Sequence, residues 1–313
     1  MRQTMNGGDW LRLGALSLLW GASFLFYRML ATELPPLVTT FGRVALGGLA
    51  LVAILAPRAA PIALPRAQWG RFALLAVLNN VVPFTLFAWG EMRVAAGTAA
   101  ILNAMTPMFS VLVGALVWRS EALTGARVAG VLCGIAGVAV LIGPGALLGQ
   151  DWPGELACLL AALSYGFAVH FARRFEGVTP ANKALGQLVA SSVVLLPLML
   201  IVDQPWSLPA PSAAGWVALV GIAVPCTALA YLLFFDLIAR AGANNTALVT
   251  LLVPVSALLL GAVVLGEPVT WNALGGMALV AAGLAAIDGR LLSAIRRAPA
   301  PPPPPAPGAP ARR

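Results

Sequence analysis

Few side chains in this sequence could do chemistry, and those few are of kinds that bind rather than break bonds. Asn79, Asn80 and Asn103 stand inside long apolar runs, as do Thr227 and Thr250. Trp20, Tyr165 and Tyr231 add aromatic rings in the same settings. Amides, hydroxyls and rings hold a solute by hydrogen bonds and stacking, and a polar group within a lipid-length run points to function by default. The structural alternative is interhelical glue, at about 0.6 kcal/mol per bond on average. His170 is the only histidine. Its unperturbed pKa of about 6.5 makes it the candidate for proton coupling, although Arg173 and Arg174 follow within a turn and suggest a wet interface instead.

What is missing narrows the chemistry. No Asp or Glu stands in mid-run; Glu91 and Asp236 fall near run ends. Cys133, Cys158 and Cys226 lie singly, with neither metal spacing nor a disulfide framework. No Walker loop is present, so ATP drive is not expected. The expectation is therefore no metal, no cofactor and no enzyme, because a membrane enzyme would cluster His, Asp or Glu at the interface.

The chain that positions these residues has 313 residues, 60 % apolar and 10 % charged. A soluble domain carries about a quarter charged residues. The reading is an all-α polytopic membrane protein. Its net charge of +8 marks cytoplasmic loops rather than a nucleic-acid surface. Ten apolar runs of roughly 20 residues each have the length that crosses a bilayer. They start near Trp10, Pro36, Trp69, Ala95, Thr124, Pro153, Pro180, Ala213, Ala241 and Trp271. Sixteen of the nineteen Lys and Arg fall on the side of the amino terminus, Arg28 and Arg93 on the other, and Arg43 within a span. That asymmetry places both termini in the cytoplasm and the chain in an inner (plasma) membrane.

The chain also repeats itself. Residues 96–141 match 243–287, so that Pro107 meets Pro254, Glu121 meets Glu267, and Gly130 meets Gly276. Weaker matches precede them, with Trp20 on Tyr165, Arg28 on Arg173 and Arg43 on Gln187. Two five-span repeats result, 10–143 and 153–288, flanked by an amino-terminal segment 1–9 and a Pro-rich tail 298–313 expected to be disordered in the cytoplasm. Five is odd, so the second repeat enters the membrane from the opposite side. Inverted repeats are the construction of many secondary transporters, with the site at the midplane between halves.

The stretches WGASFLFYRML and TAAILNAMTPMFSVLVGALVWRSEALT, the latter with its second copy, resemble EamA-type members of the drug/metabolite transporter superfamily. The resemblance implies a ten-helix permease that moves a small metabolite outward, amino-acid-like substrates among them. It also implies that helices 1, 3, 4, 6, 8 and 9 surround the cavity while 5 and 10 pack outside. On that footing the substrate-binding candidates are Trp20, Asn79, Asn80, Asn103, Tyr165, Thr227, Tyr231 and Thr250. Asn79 and Asn80 point about 100° apart, so only one can face a cavity squarely.

The remaining singular residues read as structural. Arg43 could attract a substrate carboxylate or could snorkel to the outer interface and clamp helix ends; its partner Gln187 is uncharged, and both sit on helices that the resemblance keeps out of the cavity, which favours structure. Glu121 and Glu267 precede helices 5 and 10, where an acid is favoured by the dipole and Thr124 and Thr270 are cap candidates. Pro107 and Pro254 are kinks or hinges. Gly130-x-x-x-Gly134 suits either internal packing or a dimer face, leaving monomer and homodimer open. The rival carrier of a nucleotide-sugar or phosphorylated metabolite would want several buried cations, where only Arg43 qualifies. A passive channel is the other rival. The expected partners are a small-molecule substrate, the bilayer and protons, with no nucleic acid.

Overall fold

The computed structural model describes residues 5–58, 64, 66–143, 151–175 and 177–288. The Pro-rich tail lies outside the described residues. Among the described residues ten helical spans follow one another: α1 (Gly7–Leu30), α2 (Pro36–Leu55), α3 (Arg66–Gly90), α4 (Ala96–Leu116), α5 (Gly125–Ile142), α6 (Trp152–Arg174), α7 (Pro180–Val202), α8 (Ala213–Ala241), α9 (Val249–Leu265) and α10 (Trp271–Asp288). A short helical turn, Ala243–Thr246, leads into α9. Nine of these are long and apolar enough to cross a membrane by themselves; α9 reaches that length with its preceding turn.

Local sequence sets the helix ends. Asn6 and Asp9 form a reciprocal capping box at the start of α1, with N–H···O distances of 2.9 and 3.1 Å. Thr179 and Ser212 cap α7 and α8 with the side chain alone, accepting from the main chain of Asn182 and Gly215. Pro36 and Pro180 open their helices, where the missing N–H costs nothing. Thr124 and Thr270 accept from the main chain of Arg127 and Ala273, the capping expected of them.

The two repeats interlock rather than sit apart. α1 packs on α9, and the repeat-equivalent pair α6 and α4 packs in the same manner. Each pair closes on a glycine. A Cβ on Gly21 would lie 2.9 Å from the Ala257 main chain, and one on Gly166 would lie 3.1 Å from the Ser110 main chain. α5 and α10 form a third pair at the periphery. There Gly130 faces Gly283 and Gly137 faces Gly276, so close that a Cβ on Gly130 would stand 2.6 Å from the Gly283 oxygen. The Gly130–Gly134 stripe, open between two uses in the sequence, is thus occupied inside one chain.

Candidate functional site

Helix irregularities fall at equivalent places in the two repeats. α3 widens to π geometry at Val77–Val81 and α8 at Val224–Leu229, 147 residues apart at their starts. That is the shift that takes Pro107 to Pro254, and it takes Asn80 to Thr227. π-turns release main-chain groups and recur at functional sites. Pro83 and Pro225 accompany them. Sequence reading passed over this feature; the prolines within α3 and α8 were the signal for it. α4 breaks just before Pro107, with a turn at Ala104–Met105 between Ala96–Asn103 and Thr106–Leu116. α9 runs unbroken through Pro254 instead, its break coming earlier, at Ala247–Leu248.

These widened and broken helices enclose a cavity of about 410 Å³. Trp20, Asn79, Asn103, Tyr165, Thr227, Tyr231 and Thr250 all contribute to its wall. Asn80 does not: it is wholly buried, its amide donates to Ser191 Oγ at 2.9 Å, and Tyr231 donates to its oxygen at 3.4 Å. Asn80 therefore braces α3 against α7 while its neighbour Asn79 faces the cavity. Asn103 Oδ1 is buried without a hydrogen-bond partner. Trp20 meets Phe234 at 5.2 Å between ring centroids, and Tyr165 lies on Phe87 at 6.2 Å. A second hollow, between α2 and α7, is lined by Leu49, Val52, Val193 and other apolar groups, with Ser192 the one hydroxyl, already donating to the Leu188 oxygen at 2.9 Å; it offers a solute little to bond.

The resemblance kept helices 2 and 7 out of the cavity; the structure brings Arg43 of α2 and both Lys183 and Gln187 of α7 into its wall. Arg43 lies there, 6 % exposed. Its Nε donates to Thr227 Oγ1 at 3.0 Å and its Nη1 to the Tyr27 hydroxyl at 2.8 Å. The guanidinium carbon stands 3.8 Å from the Phe84 ring centroid and 5.1 Å from that of Tyr27. These contacts offset part of the desolvation of a buried cation, yet no carboxylate among the described residues pairs with it. Thr227 also donates to the Ile222 oxygen at 2.8 Å, which ties Arg43 to the π-turn of α8. Gln187 accepts from Asn79 at 2.9 Å and also lines the cavity. Lys183 stands at the mouth, donating to the Ala172 oxygen at 3.1 Å.

His170 lies elsewhere. It is buried between α6 and α4, its Nε2 donating to the Ser110 oxygen at 2.8 Å and its ring stacked on Trp118 at 5.8 Å. A ring nitrogen bonded to a main-chain oxygen is fixed as N–H, and this geometry joins two helices rather than facing a solute.

The carboxylates also find partners that the sequence did not suggest. Glu267 precedes α10 but caps α4: both its oxygens accept from Ala96 N, at 3.1 and 3.2 Å, and it lies 3.5 Å from Arg28 Nε. Its equivalent Glu121 lies 3.5 Å from Arg127 and 3.7 Å from Arg173. Arg28–Glu267 and Arg173–Glu121 are therefore the same contact made once in each orientation. Glu91 does stand at a helix end, as its place near a run end implies, but it is fully buried there.

Comparison with known proteins agrees with this architecture. The profile of the EamA-like transporter family matches residues 10–143 and 152–287, one match per repeat. The chain is similar to the uncharacterized transporter YvbV of Bacillus subtilis (strain 168), 26 % identical, covering 92 % of this chain and 94 % of that one. It is 33 % identical to a probable terminal-alkyne amino-acid exporter of Streptantibioticus cattleyicolor, over 69 % of this chain and 72 % of the relative. A crystal structure that is 22 % identical superposes with a TM-score of 0.65, covering 94 % of this chain and all of the other, and shows the same fold. With both repeats matched, the chain is a multi-pass membrane protein that belongs to the EamA-like transporter family.

Proposed function

We propose that this transporter exports a small amphipathic metabolite bearing a carboxylate, an amino-acid-like compound, by alternating access between its inverted halves. The observation that carries the substrate class is Arg43, a buried guanidinium in the cavity wall with no carboxylate among the described residues to neutralise it. A solute carboxylate supplies that missing charge, as a charge-assisted hydrogen-bond acceptor. Asn103 Oδ1, buried and without a partner, accepts from the solute's ammonium. The rings of Trp20, Tyr165 and Tyr231 take up an apolar side chain. The probable amino-acid exporter named among the relatives is consistent with this reading.

A phosphorylated substrate is the second reading, and Lys183 favours it, because it places a second cation at the cavity mouth. Liposome counterflow separates the two. Labelled zwitterionic amino acids are expected to exchange saturably, and Arg43→Gln to weaken their apparent affinity by at least about tenfold, since a hydrogen bond to a charged group is worth roughly 1.5–3 kcal/mol. Decarboxylated amine analogues should lose much less. Saturable exchange of phosphate esters, with amino acids inert, would sink the first reading and install the second.

A further inference from the structure

One end of the molecule is closed. The cavity stops at Tyr27 and Phe87, and beyond them Leu30, Leu34, Val94 and Ala96 are all buried around the α1–α2 and α3–α4 links. At the other end the lining runs out to Ala172 and Lys183, where α6 and α7 meet.

Glu91 lies inside the closed end, one residue past α3. It is 0 % exposed, and neither carboxyl oxygen has a hydrogen-bond partner. The joint around it has no slack. Gly90 touches α6 so closely that a Cβ there would lie 2.8 Å from Cys158 Sγ and 3.0 Å from the Gly154 oxygen. A carboxylate buried with both oxygens unbonded is far costlier than the neutral acid. Burial, and after it the Glu267 charge, raises the Glu91 pKa well above the ordinary carboxylate range, against the opposing pull of Arg28 and Arg43.

The charged groups facing Glu91 are accounted for. Arg28, from α1, bonds the Glu91 main-chain oxygen at 2.6 Å and turns its Nε to Glu267. Tyr27 is held by Arg43. Arg93, in the same link as Glu91, stacks on Trp89 at 3.9 Å. From α6 come Cys158 and Glu155, the latter with one carboxyl oxygen also unpartnered.

We propose that Glu91 is a proton-binding site that latches this end of the cavity shut. The neutral acid fits the closed joint. Opening admits water, the proton leaves to that water, and the carboxylate that remains is free to pair with Arg28. Closure thus takes up one proton, and falling pH favours the closed end. The sign follows from linkage: the closed state binds the proton more tightly, so its advantage is complete below the ordinary carboxylate pKa and is lost as pH rises above it. Within that window the closing constant changes about tenfold per pH unit. The inference rests on alternating access but not on the substrate class.

The test is a labelling rate in detergent, with no substrate required. Val94, buried beside the latch, and Met92, exposed in the same link, are replaced one at a time by cysteine in a chain whose three native cysteines are alanine. The ratio of their maleimide rates cancels the pH dependence of the thiols. The ratio is expected to fall as pH is lowered from about 8 to about 5, by up to about tenfold per unit. In Glu91→Gln, a neutral isostere, it should stay low and flat. A response that survives Glu91→Gln unchanged, or that departs with Glu155→Gln or Glu267→Gln instead, overturns the assignment. A Val94 cysteine silent at every pH while the control reacts overturns opening itself, and alternating access with it. Infrared spectra of the unaltered chain need no variant: a protonated carboxylic-acid band is expected at neutral pH, and its absence overturns the proposal.

Discussion

The two ends of this molecule are built from the same motif and finished differently. At the closed end α1 and α9 meet, with Arg28 against Glu267 at 3.5 Å. At the other end their equivalents α6 and α4 meet, with Arg173 against Glu121 at 3.7 Å. The arginine side chain is 36 % exposed at the first and 62 % at the second. The shift that takes Asn80 to Thr227 takes Glu91 to Ile238, so the buried acid has no counterpart. Gene duplication supplies two ion pairs related by pseudo-symmetry, and one added carboxyl makes one of them sensitive to protons. The lesson is that the repeat gives the two ends matching contacts, while residues outside the repeat pattern make the ends differ.

Substitutions at the two corners test how far that difference extends. The largest effect is expected from Glu267→Ala, which removes both acceptors from Ala96 N and leaves Arg28 without its carboxylate. Loss of the cap and the uncompensated donor together should lower stability by about 2–3 kcal/mol, read as thermal unfolding in detergent. An unchanged unfolding temperature would show that the corner is slack. Glu91→Met should act in the opposite direction. It replaces an unpartnered buried acid by an apolar side chain and should stabilise by about 1–3 kcal/mol. The gain should grow as pH rises above the ordinary carboxylate range, because the native chain must hold a proton there that the unfolded chain releases. A gain that grows towards acid pH would contradict the burial argument. The smallest effect belongs to Glu121→Ala. Its pairs are long and partly solvated, so the loss should stay below about 1 kcal/mol and shrink with salt. A loss equal to that at Glu267 would erase the distinction between the two ends.

His170 and Glu91 show why some site residues were legible and others not. The sequence pointed to His170 for protons because of its residue type alone, while its place near a helix end spoke for a wet interface. The structure seats its ring between α4 and α6, bonded to Ser110. Glu91 looked ordinary because a helix end is usually wet, and only the packing of α1, α6 and the α9–α10 link over it removes the water. Arg43 was misplaced for a related reason. Seven residues into α2 it could snorkel outward, but α2 leans on α8, and Thr227 and Tyr27 turn its head towards the cavity.

Composition, span lengths and the internal repeat are properties of the chain, and they determined the class: a polytopic helical protein of two inverted five-span halves. Trp20, Tyr165, Asn79 and Asn103 could be picked out because a polar or aromatic group at the centre of a lipid-length run is costly wherever the helices pack. Which face each residue presents depends on rotation about the helix axis, and one π-turn changes that rotation for everything beyond it. The division of roles between Asn79 and Asn80, the presence of Arg43 and Gln187 in the cavity wall, the capping of α4 by Glu267 and the burial of Glu91 are contacts between spans distant in sequence. Only the tertiary structure decided them, because burial is set by the neighbours a helix acquires and not by the residues it carries.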